Sequence, residues 1–135
     1  MRKVLPDTNQ IKELVQFLPL LYRNGFEPIK KWGGGKEKDG VFVMPWPEYE
    51  EDVEMFFRAT SQEHWCDYEY SPEEAQKMLD DRQSIESATL EEIKTMLTFC
   101  VRGERFCDGH MGAMIREGKI ELILKRLNEL SGTYT

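Results

Sequence analysis

Thr89-Leu90-Glu91-Glu92-Ile93-Lys94-Thr95-Met96-Leu97-Thr98-Phe99-Cys100-Val101 is the stretch that decides the fold. Thr89 and Glu92 form a capping-box signature. The hydroxyl accepts from the backbone N–H three residues on, and the carboxylate returns to the N–H of the cap. Leu90, Ile93, Met96, Leu97, Cys100 and Val101 follow at helical spacing, so one helix face is apolar along its length. Such a stripe must bury against other elements, and similar stripes lie on both sides of it.

Upstream, Ile11, Leu14, Val15, Leu18, Leu21 and Tyr22 predict an amphipathic helix over 9–23, with Asp7-Thr8-Asn9 offering an N-cap and Asn24-Gly25 a stop. Pro19 falls inside that pattern and predicts a kink or an early end, because it lacks an N–H and crowds the preceding turn. Tyr49, Val53, Phe56 and Phe57 predict a helix over about 48–62, and Glu48, Glu50, Glu51 and Asp52 near its start complement the helix dipole. Ser71-Pro72-Glu73-Glu74 opens another helix to about Asp81, Ser71 as cap and Pro72 at its first position. Downstream, Asp108 can cap a short helix over 109–117, ended by Gly118. Ile120, Ile123, Leu124, Leu127 and Leu130 mark a final helix over 119–130.

Phe26 to Trp32 and Val41 to Met44 are strand candidates. Between them, Gly33-Gly34-Gly35-Lys36-Glu37-Lys38-Asp39-Gly40 is turn chemistry, which predicts a β-hairpin with a mobile tip. The glycine run lacks the Gly-Lys-Ser/Thr ending of a phosphate loop, and no helix follows it directly. Pro45-Trp46-Pro47 reads as the next boundary. The expected fold is mostly α (α+β): five or six helices and one small antiparallel hairpin, in a single domain over 1–135 with the hairpin at about 26–44.

The 135 residues carry a net charge of −7, unevenly spread. Residues 1–38 hold 8 Lys/Arg against 4 Asp/Glu, residues 39–92 hold 3 against 16, and residues 93–135 hold 7 against 5. The acidic middle repels a phosphate backbone, so nucleic acid is disfavoured, while a protein partner with a basic surface would be attracted at low salt. No apolar run approaches the roughly 20 residues needed to span a bilayer, and Met1-Arg2-Lys3-Val4-Leu5 has no apolar signal core. Cys66, Cys100 and Cys107 are odd in number and fit no disulfide framework, which suits the cytoplasm. The 3 Trp, 5 Tyr and 7 Phe are many aromatics for this length. Trp32, Trp46 and Trp65 flank turns, where aromatics can anchor an interface; a homodimer, the commonest oligomer, would form through an exposed helix face.

Arg102-Gly103-Glu104-Arg105-Phe106-Cys107-Asp108-Gly109-His110 is the densest window of chemically active groups. A helix start with Gly109 offers backbone N–H groups to an anion, and Arg102 and Arg105 could add bidentate contacts, so Arg102, Arg105, Gly109 and His110 are the candidate ligand-binding residues. As a small enzyme, the chain would use Arg105, Cys107, Asp108 and His110 together with Arg102: the arginines to orient an anionic substrate, a thiol nucleophile, a carboxylate to orient the imidazole or cap the helix, and an imidazole to move protons. The structural alternative makes Asp108 an N-cap, Arg102 a cation at a helix C-terminus, and Phe106 and Cys107 core residues. His64-x-Cys66 and Cys107-x-x-His110 together hold a zinc ligand inventory, but the His-x-Cys pair is tight and the separation between the pairs imposes no constraint. No metal or other cofactor is expected, and whether the chain is an enzyme stays open.

Arg105-Phe106-Cys107-Asp108-Gly109-His110, followed by Ala113-Met114-Ile115, Glu117-Gly118 and the Ile120-to-Leu130 helix, resembles the bacterial family catalogued as domain of unknown function 6508. Its members share an Arg-Phe-Cys-Asp/Glu-Gly-His stretch, a short helix, a glycine and a closing Leu-rich helix. The resemblance is closest over 89–130 and looser over 8–60. It implies a bacterial or phage source and no particular activity. The functional expectation is a protein-binding or regulatory module, with a small enzyme or anion-binding protein as the alternative.

Overall fold

A computed structural model describes residues 5–34, 37–38, 40–42 and 46–133. Of the expectations above, the extreme N-terminus, parts of the hairpin tip (Gly35, Lys36, Asp39) and Val43, Met44 and Pro45 lie outside the described residues, as does the side chain of Phe106. The described residues form eight α-helices: α1 (Thr8–Val15), α2 (Phe17–Leu21), α3 (Glu51–Thr60), α4 (Pro72–Leu79), α5 (Arg82–Glu86), α6 (Leu90–Phe106), α7 (His110–Arg116) and α8 (Lys119–Thr133). A hairpin stands between α2 and α3, built from β1 (Ile29–Gly33), β2 (Glu37–Lys38), β3 (Val41–Phe42) and β4 (Trp46–Tyr49). The molecule is mostly helical with a small antiparallel hairpin.

Helix boundaries follow local chemistry. Asp7 and Gln10 form a capping box on α1, Ser71 caps α4 with Pro72 at its first turn, and Thr89 and Glu92 form the box on α6. The predicted 9–23 helix divides at Gln16. Pro19 cannot donate to the Val15 carbonyl, so α1 stops there, and Pro19 falls in the first turn of α2, where no intrahelical donor is needed. Asp81 accepts from Gln83 N and starts the additional helix α5.

The hairpin is longer than the sequence pattern predicts. β1 pairs antiparallel with β4, and β2 with β3 inside it. Trp46-Pro47-Glu48-Tyr49 is therefore strand, and the predicted 48–62 helix shortens to α3. Pro47 is tolerated because each strand of a two-stranded sheet has a free edge. The register pairs Ile29 with Tyr49, Lys31 with Glu48, Trp32 with Pro47 and Gly33 with Trp46, leaving Lys30 as a bulge. That extra residue puts Ile29 and Trp32, an odd number apart, on the same face.

One hydrophobic cluster draws on all eight helices, with Trp65, Phe56, Leu14, Leu79, Ile93, Leu97 and Met111 among its fully buried side chains. Side chains of this size each contribute about 1.5–3 kcal/mol when buried. α1 and α5 pack on α8, α4 packs on α6, and α7 contacts both α6 and α8. The loop after Trp65 is tied to α6 through Thr98, whose Oγ1 accepts from Asp67 N at 2.8 Å.

Candidate functional site

α6 runs five residues past the end of its apolar stripe, to Phe106, so Arg102, Gly103, Glu104 and Arg105 are helical. The chain then reverses through Cys107 and Asp108 into α7. His110 N donates to the Cys107 carbonyl at 3.0 Å, and Gly109 adopts φ 89°, a left-handed conformation that glycine takes without a side-chain penalty. Gly109 is thereby the N-cap of α7, and Asp108 falls one residue outside it. Asp108 is exposed and makes no capping bond, so the expected Asp108 cap is replaced.

Glu104 takes that role from the preceding helix. Its Oε2 accepts from Gly109 N at 2.9 Å, and its Oε1 accepts from Met111 N at 2.8 Å. Tyr49, at the end of β4, donates its hydroxyl to Glu104 Oε1 at 2.6 Å and accepts from Gly112 N at 3.2 Å. Three N–H groups at the start of α7 are thus satisfied by a carboxylate and a phenol from two other elements. Burial, then the bond to Glu104, raises the Tyr49 pKa, so the phenol stays a donor across the physiological range.

The same junction seats the hairpin. A Cβ on Gly112 would lie 3.1 Å from Tyr49 Cε1 and 3.2 Å from Ile29, and one on Gly109 would lie 3.1 Å from the Trp32 ring. α7 therefore presents a glycine-smoothed surface to the inner face of the hairpin. On the outer face, Trp46 lies across Gly33, where a Cβ would meet the indole at 2.4 Å, so the ring covers backbone that a side chain would otherwise shield.

His110, the first residue of α7, turns toward α6. Its ring is edge-on to Phe99 at 5.3 Å, and a Cβ on Gly103 would lie 2.5 Å from its Nε2. Nε2 is buried without a hydrogen-bond partner among the described residues. Burial lowers the His110 pKa, against the opposing pull of Glu104 and Glu117, and favours the neutral imidazole.

The remaining candidates do not gather around His110. The Arg102 guanidinium stacks on the Tyr70 ring, 5.2 Å from its centroid. Arg105, Cys107 and Asp108 are exposed and make no side-chain hydrogen bond or ion pair among the described residues. Cys107 is therefore not the core residue that the structural alternative expects, and Arg102 is not at a helix end. Cys100 is fully buried, and burial pushes its thiol up to about 12. His64, Cys66, Cys107 and His110 do not assemble. Among the described residues no three His, Cys, Asp or Glu side chains are grouped to hold a metal. An open groove of about 440 Å³ beside the clamp is lined by Tyr49, Glu54, Phe57, Arg58, Ser61 and Glu104, and none of the other candidate residues lines it.

Glu104 and Tyr49 are the organising residues that sequence reasoning passed over. The available signal was a carboxylate one turn before the end of a helix and five residues ahead of a glycine. Nothing local pointed to Tyr49.

The chain belongs to a family of unknown function (DUF6508), whose model matches residues 6–133. No curated protein and no solved structure matches it.

Proposed function

We propose that this member of the family is a non-catalytic protein-binding module that presents the outer face of its β1–β4 hairpin, and that its first partner is a second copy of the chain. The carrying observation is where apolar surface is left in water. Of the seven exposed large hydrophobic residues among the described residues, three belong to the hairpin: Trp46 on the outer face, 45% exposed, Val41 on β3, and Trp32, whose ring edge rests on Gly109 from the inner face while the side chain stays 52% exposed. A half-exposed indole in reach of a partner is the residue type that most often dominates binding energy. The hairpin edges are poor docking surfaces, because the bulge at Lys30, the exposed Lys30 and Lys31, and Pro47 all discourage strand addition. The outer face carries one charge of each sign, which suits a two-fold pairing with a second copy. Lys31 and Glu48 lie 3.7 Å apart there, and a two-fold arrangement exchanges them between copies.

The alternative of an enzyme or anion site at 102–110 loses support from the clamp. The N–H groups at the start of α7 that would receive an external anion already hold the Glu104 carboxylate. The three free cysteines support a reducing, cytoplasmic setting. No helix among the described residues is long and apolar enough to cross a membrane.

Sedimentation velocity over rising protein concentration tests this reading. Self-association should weaken by at least about tenfold in Trp46→Ser. It should be unaffected in Met55→Ser, a control at a residue of similar exposure on α3. A chain that stays monomeric at every concentration, or two variants that associate like wild type, would contradict it.

A further inference from the structure

We propose that His110 is an acid-operated release for the α6–α7 junction: protonation of its imidazole in the slot formed by Gly103 and Phe99 breaks the Glu104 clamp and frees the hairpin. The inference does not depend on what the hairpin binds. Its basis is geometric. Nε2 is sealed from water with no acceptor among the described residues, and the Gly103 backbone is so close that even a methyl group at that position would overlap the ring. A neutral imidazole can place a lone pair there. An imidazolium must place an N–H there, and an unpaired buried donor on a charged group is far more costly.

The charged and titratable groups around His110 define what happens next. Glu104 faces it from α6 and Glu117 from the end of α7, and Tyr49 of β4 is bonded to Glu104. The Glu104 oxygens are already shared among Tyr49 Oη, Gly109 N and Met111 N. An imidazolium therefore has two routes: it leaves the slot for water, or it draws Glu104 away from the start of α7. The first pulls on the residue between Gly109 and Met111, and the second removes their acceptor. Both loosen the surface on which Ile29, Trp32 and Tyr49 sit.

The sign follows from linkage. The fold favours neutral His110, so the unfolded chain takes up the proton at higher pH. The contribution is complete above the free-histidine value of about 6.5 and is lost as pH falls through it toward the folded midpoint.

The test uses the full chain with His64→Gln, which leaves one histidine. NMR follows the imidazole signals and the hydrogen-exchange protection of the Gly109, Met111 and Gly112 amides, corrected for intrinsic rate, from about pH 7.5 to about pH 4.5. The expected result is a midpoint for His110 below about 6.5, with the three amides losing protection over the same interval. His110→Phe should keep protection across that interval. If it fails to fold, the titration of the chain that retains His110 decides alone. A His110 midpoint at or above the free value, or amides that stay protected while His110 titrates, would overturn the proposal.

Discussion

Glu104 and Asp108 stand four residues apart with the same functional group and opposite fates. Asp108 has the residue type and sequence position of an N-cap, yet Gly109 at φ 89° occupies the cap position and the carboxylate points to water. Glu104 lies in the last turn of α6, marked locally only by the glycine that follows, and its Tyr49 partner is 55 residues away in sequence. The chemical richness of 102–110 was therefore legible, but the distribution of roles within it was not, because that distribution depends on where β4 docks. Glu104→Ala removes a charged acceptor from three donors and is expected to cost about 2 kcal/mol, discounted for partial exposure. Asp108→Ala should stay within about 0.5 kcal/mol of wild type. Urea unfolding of both variants checks this, and equal losses would show that Asp108 has a structural role after all. Tyr49→Phe should cost about 1 kcal/mol, with a double-mutant cycle against Glu104→Ala giving coupling well outside additivity.

The elements divide by how local their causes are. The cap at Asp7, the box at Thr89, the Ser71-Pro72 start, the break before Pro19 and the separation of α7 from α8 at Gly118 all follow from neighbours within one turn, and the sequence pattern placed each of them, though not the return bond from Gln10 that completes a box at Asp7. The β4 strand escaped because Pro47 and the spacing of Tyr49 to Val53 imitate a helix entrance, and because the bulge at Lys30 hides the two-residue alternation of β1. Two glycines separate conformational from packing demands. Gly118 has φ 84° and open space around it, while Gly109 has φ 89° and the Trp32 ring 3.1 Å from a would-be Cβ. Gly118→Ala should cost the backbone penalty of about 1–2 kcal/mol alone. Gly109→Ala should cost clearly more in the same thermal or urea melts, the excess measuring how tightly the hairpin is seated. Equal losses would mean that Trp32 yields without resistance.

At the scale of the whole molecule, a helical core formed around α6 and α8 carries a hairpin that is seated on a small patch of α7, with the Arg116–Glu27 ion pair beside it. Ile29, Trp32 and Tyr49 rest on Gly109 and Gly112, and the Glu104 clamp fixes those glycines in place. The densest group of chemically active residues in the sequence is, in this account, the fastening between the core and the surface that meets a partner. The charge asymmetry of the chain was legible from composition, whereas this fastening depends on contacts between residues 55 or more apart, such as Tyr49 with Glu104 and with Gly112. Hydrogen exchange of the whole chain, wild type against Glu104→Ala, tests the claim most directly. Protection should fall together at Gly109, Met111 and Gly112, at the β1–β4 amides and at Glu50 N, which bonds to the Pro28 carbonyl at 2.9 Å, while the α1–α8 core keeps its protection. Loss confined to the first turn of α7, with the hairpin as protected as in wild type, would contradict it.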